Sequence, residues 1–187
     1  LTRANNRTTN LLMIIDEMLD FAYMKSKDDV TRESAEIDVS EIVRNNVDLF
    51  AAFAKQKEIE LKTVVPKSLI TNNSRDLLNI ILGNLITNAI KYSARRGTVV
   101  VAAEEKHGSI HLHVSDEGMG IEPEELEKIF EEFYRTRRAR KVENDGTGLG
   151  LSIVQKAVNL LNGKMSVYSE LEKGTKMHIY LPKSQKE

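Results

Sequence analysis

The stretch from Ser74 to Tyr92 limits the possible folds of this chain more than any other. Leu77, Leu78, Ile81, Leu82, Leu85, Ile86, Ala89 and Ile90 recur at helical spacing and cover most of the circumference of one helix, for which Ser74 supplies an N-cap. A helix apolar nearly all round has to be buried by other layers of structure. Within this apolar run Asn84, Asn88 and Lys91 stand at i, i+4 and i+7, so they share one face. Asparagine competes for backbone hydrogen bonds in mid-helix, and two of them on a buried stripe require partners that offset that cost. A hydrated divalent cation bridging phosphates is such a partner: an amide oxygen is a hard ligand suited to Mg2+, and a lysine ammonium reaches phosphate oxygens. The alternative is that the amides bond neighbouring loops and Lys91 complements the helix C-terminal dipole.

The other elements follow from periodicity and turn chemistry. Residues 2–24 carry Leu11, Ile15, Met18 and Ala22 on one stripe, widened by Leu12, Ile14 and Leu19, a helix in search of a partner helix. Polar residues 25–34 form a linker, which divides the chain into a helical segment, 1–30, and a main domain, 31–187. Residues 35–39 predict a strand, Ser40 caps a helix running to about Lys57, and 59–65 alternate like a strand, giving a β-α-β opening. Residues 98–105 and 109–116 form a hairpin around Lys106-His107-Gly108 that brings Asp116 to a strand end. A short acidic helix over 123–132 is followed by a basic segment, 135–145, that reads as a mobile loop. A helix over 151–161 stops at Asn162-Gly163, and strands 164–168 and 176–181 close the chain around Lys173-Gly174. The order predicts an α+β fold, a mixed sheet with helices packed on one face, preceded by one long helix.

Two glycine stretches bracket the basic loop. In Asp116-Glu117-Gly118-Met119-Gly120-Ile121 a carboxylate at a strand end can accept a hydrogen bond from an exocyclic amine, and glycines let a flat base approach the backbone, which favours adenine over guanine. Gly146-Thr147-Gly148-Leu149-Gly150-Leu151 runs straight into a helix, whose N–H groups and positive dipole end suit phosphate. The dinucleotide fingerprint fails, because its sixth position is Leu151 and the preceding segment is polar loop, and no Walker P-loop occurs. Arg135, Arg137, Arg138, Arg140 and Lys141 make the intervening loop a basic lid over a triphosphate, with Arg135, directly after Phe133-Tyr134, the candidate γ-phosphate contact. His111 and His113 face one way on their strand, but with no third ligand or acidic neighbour in register they read as a polar sheet face, not a metal pair.

Composition narrows the classes further. A formal net charge of −1 shows no global preference for nucleic acid or anionic membrane, so any electropositive site is local. With no cysteine, disulfides, thiolate zinc sites and cysteine nucleophiles are excluded, which fits a reducing, cytoplasmic setting. No apolar run approaches the ~20 residues of a membrane span, and no signal pattern opens the chain; a longer parent is still free to be anchored in an inner membrane.

The order Asn84-Leu-Ile-Thr-Asn88-Ala-Ile-Lys91-Tyr92, Asp116-Glu-Gly-Met-Gly120, Ile129-Phe-Glu-Glu-Phe-Tyr-Arg135, Gly146-Thr-Gly-Leu-Gly150 and Lys173-Gly-Thr175 resembles the N, G1, F, G2 and G3 boxes of bacterial two-component sensor histidine kinases. The resemblance implies a Bergerat-type two-layer α/β sandwich that binds ATP with Mg2+. It places Asn88 on the metal, Lys91 and Arg135 on phosphates, Tyr92 beside the base and Asp116 on the adenine amine. Asn84, Gly118, Gly120, Ile121, Tyr134, Thr175 and the run Gly146, Thr147, Gly148, Leu149, Gly150 and Leu151 complete the nucleotide-binding set, and Asn84, Asn88, Lys91 and Arg135 are the catalytic group it implies. The first helix resembles the second helix of the dimerisation and phosphotransfer hairpin, whose dimer is a four-helix bundle.

Two positions depart from the pattern: Glu172 stands where the third glycine box usually begins with glycine, and none of His107, His111, His113 or His178 has the context of the family's phosphoacceptor. The implied function is the catalytic, ATP-binding part of a protein-histidine kinase. It hands the γ-phosphate to a histidine on another segment, for onward transfer to a response-regulator aspartate. One alternative is an ATPase of the gyrase, mismatch-repair or chaperone type, but those carry a water-activating Glu where this chain has Asn84. Another is a degenerate module kept for dimerisation or docking.

Overall fold

The computed structural model describes residues 14–15, 17–25, 34–143 and 146–183. Leu11, Leu12 and the expected domain boundary near residue 30 lie outside them. Helix α1 is helical at 14–15 and 17–25. Strand β1 (Ala35–Asp38) leads into α2 (Val39–Gln56), β2 (Glu60–Val64), β3 (Ile70–Asn73) and α3 (Arg75–Tyr92). The hairpin strands β4 (Thr98–Lys106) and β5 (Ser109–Asp116) follow, then α4 (Arg137–Val142), α5 (Gly150–Leu160), β6 (Lys164–Glu170) and β7 (Gly174–Pro182).

A five-stranded sheet in the order β2-β4-β5-β7-β6, antiparallel except for the parallel β2–β4 pair, carries α2, α3 and α5 on one face. Alternation along the strands explains the layering: Val99, Val101, Ile110, Leu112, Val114, Ile179 and Leu181 are buried toward the helices. Helix α3 is covered as its composition demands, with Leu78, Ile81, Leu82 and Ile86 wholly inaccessible. Ser74 caps it, accepting the Leu77 N–H at 3.4 Å.

The opening follows the expected β-α-β order, but its two strands do not share a sheet: β1 pairs antiparallel with β3 in a separate two-stranded sheet while β2 joins the main one. The sequence Ile70-Thr-Asn-Asn73 of β3 has no apolar alternation to announce a strand, and its Thr71 and Asn73 are buried polar residues. Two other expectations change. Asp38, not Ser40, caps α2: its Oδ1 accepts from the N–H groups of Ser40 and Leu69, both at 2.9 Å, and so ties the helix start to the segment before β3. The acidic helix over 123–132 reduces to two 3-10 turns, Pro123–Glu125 and Lys128–Phe130. Neither has a side-chain cap, Ile129 is their only buried residue, and the like charges Glu122/Glu125 and Glu124/Glu127 repel at i, i+3.

The sheet face turned away from the helices holds His111, His113 and His178. The strand register sets Glu104 opposite His111 and His178 opposite His113, which supplies the third histidine and the acidic neighbour that were expected to be missing.

Candidate nucleotide site

A cavity of about 950 Å³, part of it open to solvent, lies between α3, the C-terminal end of β5, the N-terminus of α5 and the segment between the glycine stretches. Asp116 stands at its inner wall because β5 ends there. Its Oδ1 accepts the N–H groups of Gly118 at 2.9 Å and Thr175 at 3.2 Å, so among the described residues Oδ2 is the oxygen without a bond. Burial pushes this carboxyl up to about 6 despite those two donors. Leu85, Val114 and Met177 add apolar wall beside it, a combination that suits a flat base whose amine meets one acceptor.

The glycines of this first stretch serve the protein's own backbone as much as any ligand. A Cβ on Gly118 would lie 2.3 Å from the Tyr92 carbonyl oxygen, and one on Gly120, at φ +65°, 2.2 Å from that of Glu170. The stretch is thereby pressed against the end of α3 and the β6–β7 turn, which holds Asp116 in place.

At the other end of the cavity Asn88 and Lys91 project from α3 beside the second glycine stretch. Helix α5 starts at Gly150 with no side-chain cap, so its dipole end and first N–H groups face the cavity. The amide of Asn88 makes no hydrogen bond among the described residues, as an oxygen reserved for a hard cation would. The amide of Asn84, in contrast, is engaged: its Nδ2 donates to the Ile80 carbonyl at 2.9 Å and to Asp20 Oδ2 at 3.4 Å, and it sits beside the cavity, not in its lining.

The basic segment is not a plain loop. Thr136 caps α4, accepting the Ala139 N–H at 3.0 Å, and Thr136 and Ala139 are both buried under it. Arg135 lines the cavity while donating to the carbonyls of Gly146 at 3.2 Å, Ala139 at 3.4 Å and Glu143, so its guanidinium gathers the lid around itself. Tyr92 lies half-buried next to it; desolvation raises the phenol's pKa and Arg135 draws it back.

Helix α1 contributes a group that sequence reading missed. Glu17 enters the cavity, accepting from Lys91 Nζ at 3.2 Å and from the Thr147 hydroxyl, with both members of the ion pair largely shielded from water. Its carboxylate occupies the region between lysine and glycine stretch that would receive phosphate. A signal for this contact did exist. Glu17, Asp20, Phe21 and Met24 share the face of α1 opposite the exposed Ile15, Met18 and Leu19; Phe21 packs against the core and Met24 lies within it.

Of the predicted site residues, Asn88, Lys91, Tyr92, Asp116, Gly120, Ile121, Tyr134, Arg135, Gly146, Thr147, Gly148, Gly150, Leu151 and Thr175 line this one cavity. Asn84, Gly118 and Leu149 stand behind its wall, Leu149 buried with its N–H on the Thr147 hydroxyl at 3.1 Å.

Residues 73–185 match the family model described as histidine kinase-, DNA gyrase B- and HSP90-like ATPase. The sensor-like histidine kinase SenX3 of Mycobacterium bovis is 34% identical over 147 residues, covering 79% of this chain and 36% of that protein. The sensor histidine kinase WalK of Bacillus subtilis is 30% identical over 180 residues, 95% of this chain and 29% of that protein. The chain thus spans about a third of the length of these curated relatives. The solved structure of full-length ShkA in complex with AMPPNP superposes with a TM-score of 0.78 at 28% identity, over 97% of this chain and 37% of that one.

Proposed function

Because this chain belongs to the histidine kinase-, DNA gyrase B- and HSP90-like ATPase family, we propose that it is the ATP-presenting portion of a two-component sensor kinase. The observation that carries the reading is the polarity of the cavity. One end offers a lone carboxylate oxygen in an apolar wall, and the other an uncapped helix N-terminus with, between them, a lysine and an amide that has no hydrogen bond among the described residues. Adenine, which donates from its amine, fits the first end; a triphosphate fits the second.

Asn88 would hold Mg2+ together with phosphate oxygens, and the ion would neutralise charge on the β- and γ-phosphates. Lys91 binds and orients the phosphates, the glycine stretch and α5 donate N–H groups to them, and the lid of Arg135 and α4 excludes water. An imidazole nitrogen on another segment attacks the γ-phosphorus, the bond to the β-phosphate oxygen breaks, ADP departs with the electron pair, and the imidazole gives up its N–H proton. The four histidines of this chain are in a turn or on the outer sheet face, away from the cavity. A response regulator then takes the phosphoryl group on aspartate. The exposed Ile15, Met18 and Leu19 supply half of a helical dimer seam in a parent that works at the cytoplasmic side of a membrane. No helix among the described residues is long and apolar enough to span one.

An ATPase needs a base for its water, and the amide of Asn84, bonded to Ile80, cannot serve. The deciding measurement is displacement of a fluorescent ATP analogue by ATP and by GTP with Mg2+, followed by incubation of labelled ATP with an acceptor hairpin in trans. ATP-selective displacement and acid-labile protein phosphate are expected; steady phosphate release without labelled protein would favour the ATPase, and no displacement would end both readings.

A further inference from the structure

We propose that the outer face of the sheet holds a second metal site, formed by His111, His113 and His178, for a late first-row divalent cation such as Zn2+. One ring nitrogen from each histidine lies within 4.8 Å of the other two. Four-coordinate zinc with ~2.0–2.1 Å bonds places its ligands about 3.4 Å apart, so closure asks for side-chain rotations of about 1 Å on a rigid sheet. The strands are hydrogen-bonded neighbours, β5 carrying His111 and His113 two residues apart and β7 carrying His178 opposite His113, which fixes the three Cα positions.

Three further observations separate this cluster from an ordinary polar face. His111 is only 7% exposed at its side chain, and its Nδ1 meets Glu104 Oε1 at 3.2 Å, the carboxylate behind a ligating imidazole that fixes its tautomer and ring orientation. Its other nitrogen, Nε2, therefore points its lone pair into the cluster, where it meets His178 Nδ1 at 2.8 Å. The Nδ1 of His113 is buried and has no hydrogen-bond partner among the described residues, which is a cost the fold bears unless something ligates or hydrates it. Tyr180, stacked on His111 at 4.5 Å, and Tyr168, edge-on to His178 at 5.5 Å, flank the ring cluster along the sheet face.

Binding requires that the proton shared between His111 Nε2 and His178 Nδ1 move to His178 Nε2, a tautomer exchange with no net change in charge. Three neutral imidazoles leave one coordination position for water or for a ligand from outside. Lys106 and Lys176 face the cluster and oppose a dication, while Glu104 favours it. Imidazole donors select Zn2+, Cu2+ or Ni2+ over Mg2+, which keeps this site chemically distinct from the one proposed at Asn88.

The test is calorimetric titration of the tag-free, chelator-treated, nucleotide-free chain with Zn2+. One equivalent should bind with a Kd at or below about 10 μM. His113→Ala and His178→Ala should each weaken it at least about tenfold, and Glu104→Gln by about 10–100-fold with every ligand still present. His107→Ala, in the β4–β5 turn, should bind like the wild type. ATP-analogue binding by each variant checks that it folds. Should a variant not fold, the Co2+-loaded wild type decides: paramagnetically shifted N–H signals from three ligating imidazoles support the site, and their absence overturns it. Absence of saturable Zn2+ binding, or wild-type affinity in His113→Ala or His178→Ala, also overturns it.

Discussion

Replacing Asp116 by Asn should make the nucleotide-free protein more stable and ruin its nucleotide site in the same step. Burial lifts the carboxyl from its ordinary 3.8 to about 6. At about 1.4 kcal/mol per pH unit, an ionised Asp116 at neutral pH costs the fold up to about 3 kcal/mol relative to the unfolded chain. The native state holds the proton more tightly, so its advantage is complete below pH 4, shrinks as pH rises from 4 to 6, and is gone above 6. An amide is isosteric and uncharged, so the denaturant midpoint of Asp116→Asn should exceed the wild type at pH 7 and the difference should close toward pH 4. For a chain of this size, about 2–4 °C in Tm accompanies each kcal/mol, so a clear thermal shift is expected at pH 7 and little at pH 4.

Binding should move the other way. The N–H groups of Gly118 and Thr175 both require an acceptor at the Oδ1 position, so asparagine must place its carbonyl there and its NH2 where Oδ2 was. An amine of adenine would then meet a donor in a buried wall, which costs about 1–3 kcal/mol, or about ten- to a hundredfold in Kd. In the wild type, ATP affinity should fall about tenfold between pH 7 and pH 5 as Asp116 protonates, and the variant should lack that slope. Equal stability of the two proteins at pH 7 would refute the desolvation argument; unchanged ATP affinity in the variant would refute the adenine contact.

Glu17→Gln weakens the hold of α1 on Lys91 and Thr147, and releasing a shielded charge-assisted bond worth ~1.5–3 kcal/mol should tighten ATP binding about tenfold; unaltered affinity would show that the carboxylate does not compete with phosphate. Asn88→Ala should abolish the Mg2+ dependence of nucleotide binding while leaving the Mg2+-free affinity nearly intact, read by titration with and without chelator. Gly174→Ala should cost at least about 3 kcal/mol in denaturant unfolding, since its φ is +110° and a Cβ would press to 1.9 Å from the Asp116 carbonyl; a loss within 0.5 kcal/mol, taken as about the noise of surface substitutions, would contradict the packing.

Local chemistry wrote several features into the sequence openly. The apolar run from Leu77 to Ile90 could only be a buried helix, Ser74 had to start it, and His107-Gly108, both at positive φ, had to turn the β4–β5 hairpin. Asn88, Lys91, Asp116 and the second glycine stretch were legible as a nucleotide set because each is locally costly or locally special, and all of them except Leu149 line one cavity. Other features depended on contacts between segments far apart in the chain. β1 and β3 find each other, from Asp38 paired with Ile70 to Ala35 paired with Asn73, through backbone pairing, and no periodicity in β3 encodes that choice. Glu17 reaches Lys91 across 74 residues only because Phe21 and Met24 dock their helix on the domain. His178 joins His111 and His113 for the same reason: strand register, set by the helix-facing alternation of β5 and β7, fixes what meets on the opposite face. The residue types, capping and turn geometry were therefore settled by the chain locally, whereas which distant side chains share a site was decided when burial of the two-layer core fixed the pairing of strands and the seat of α1.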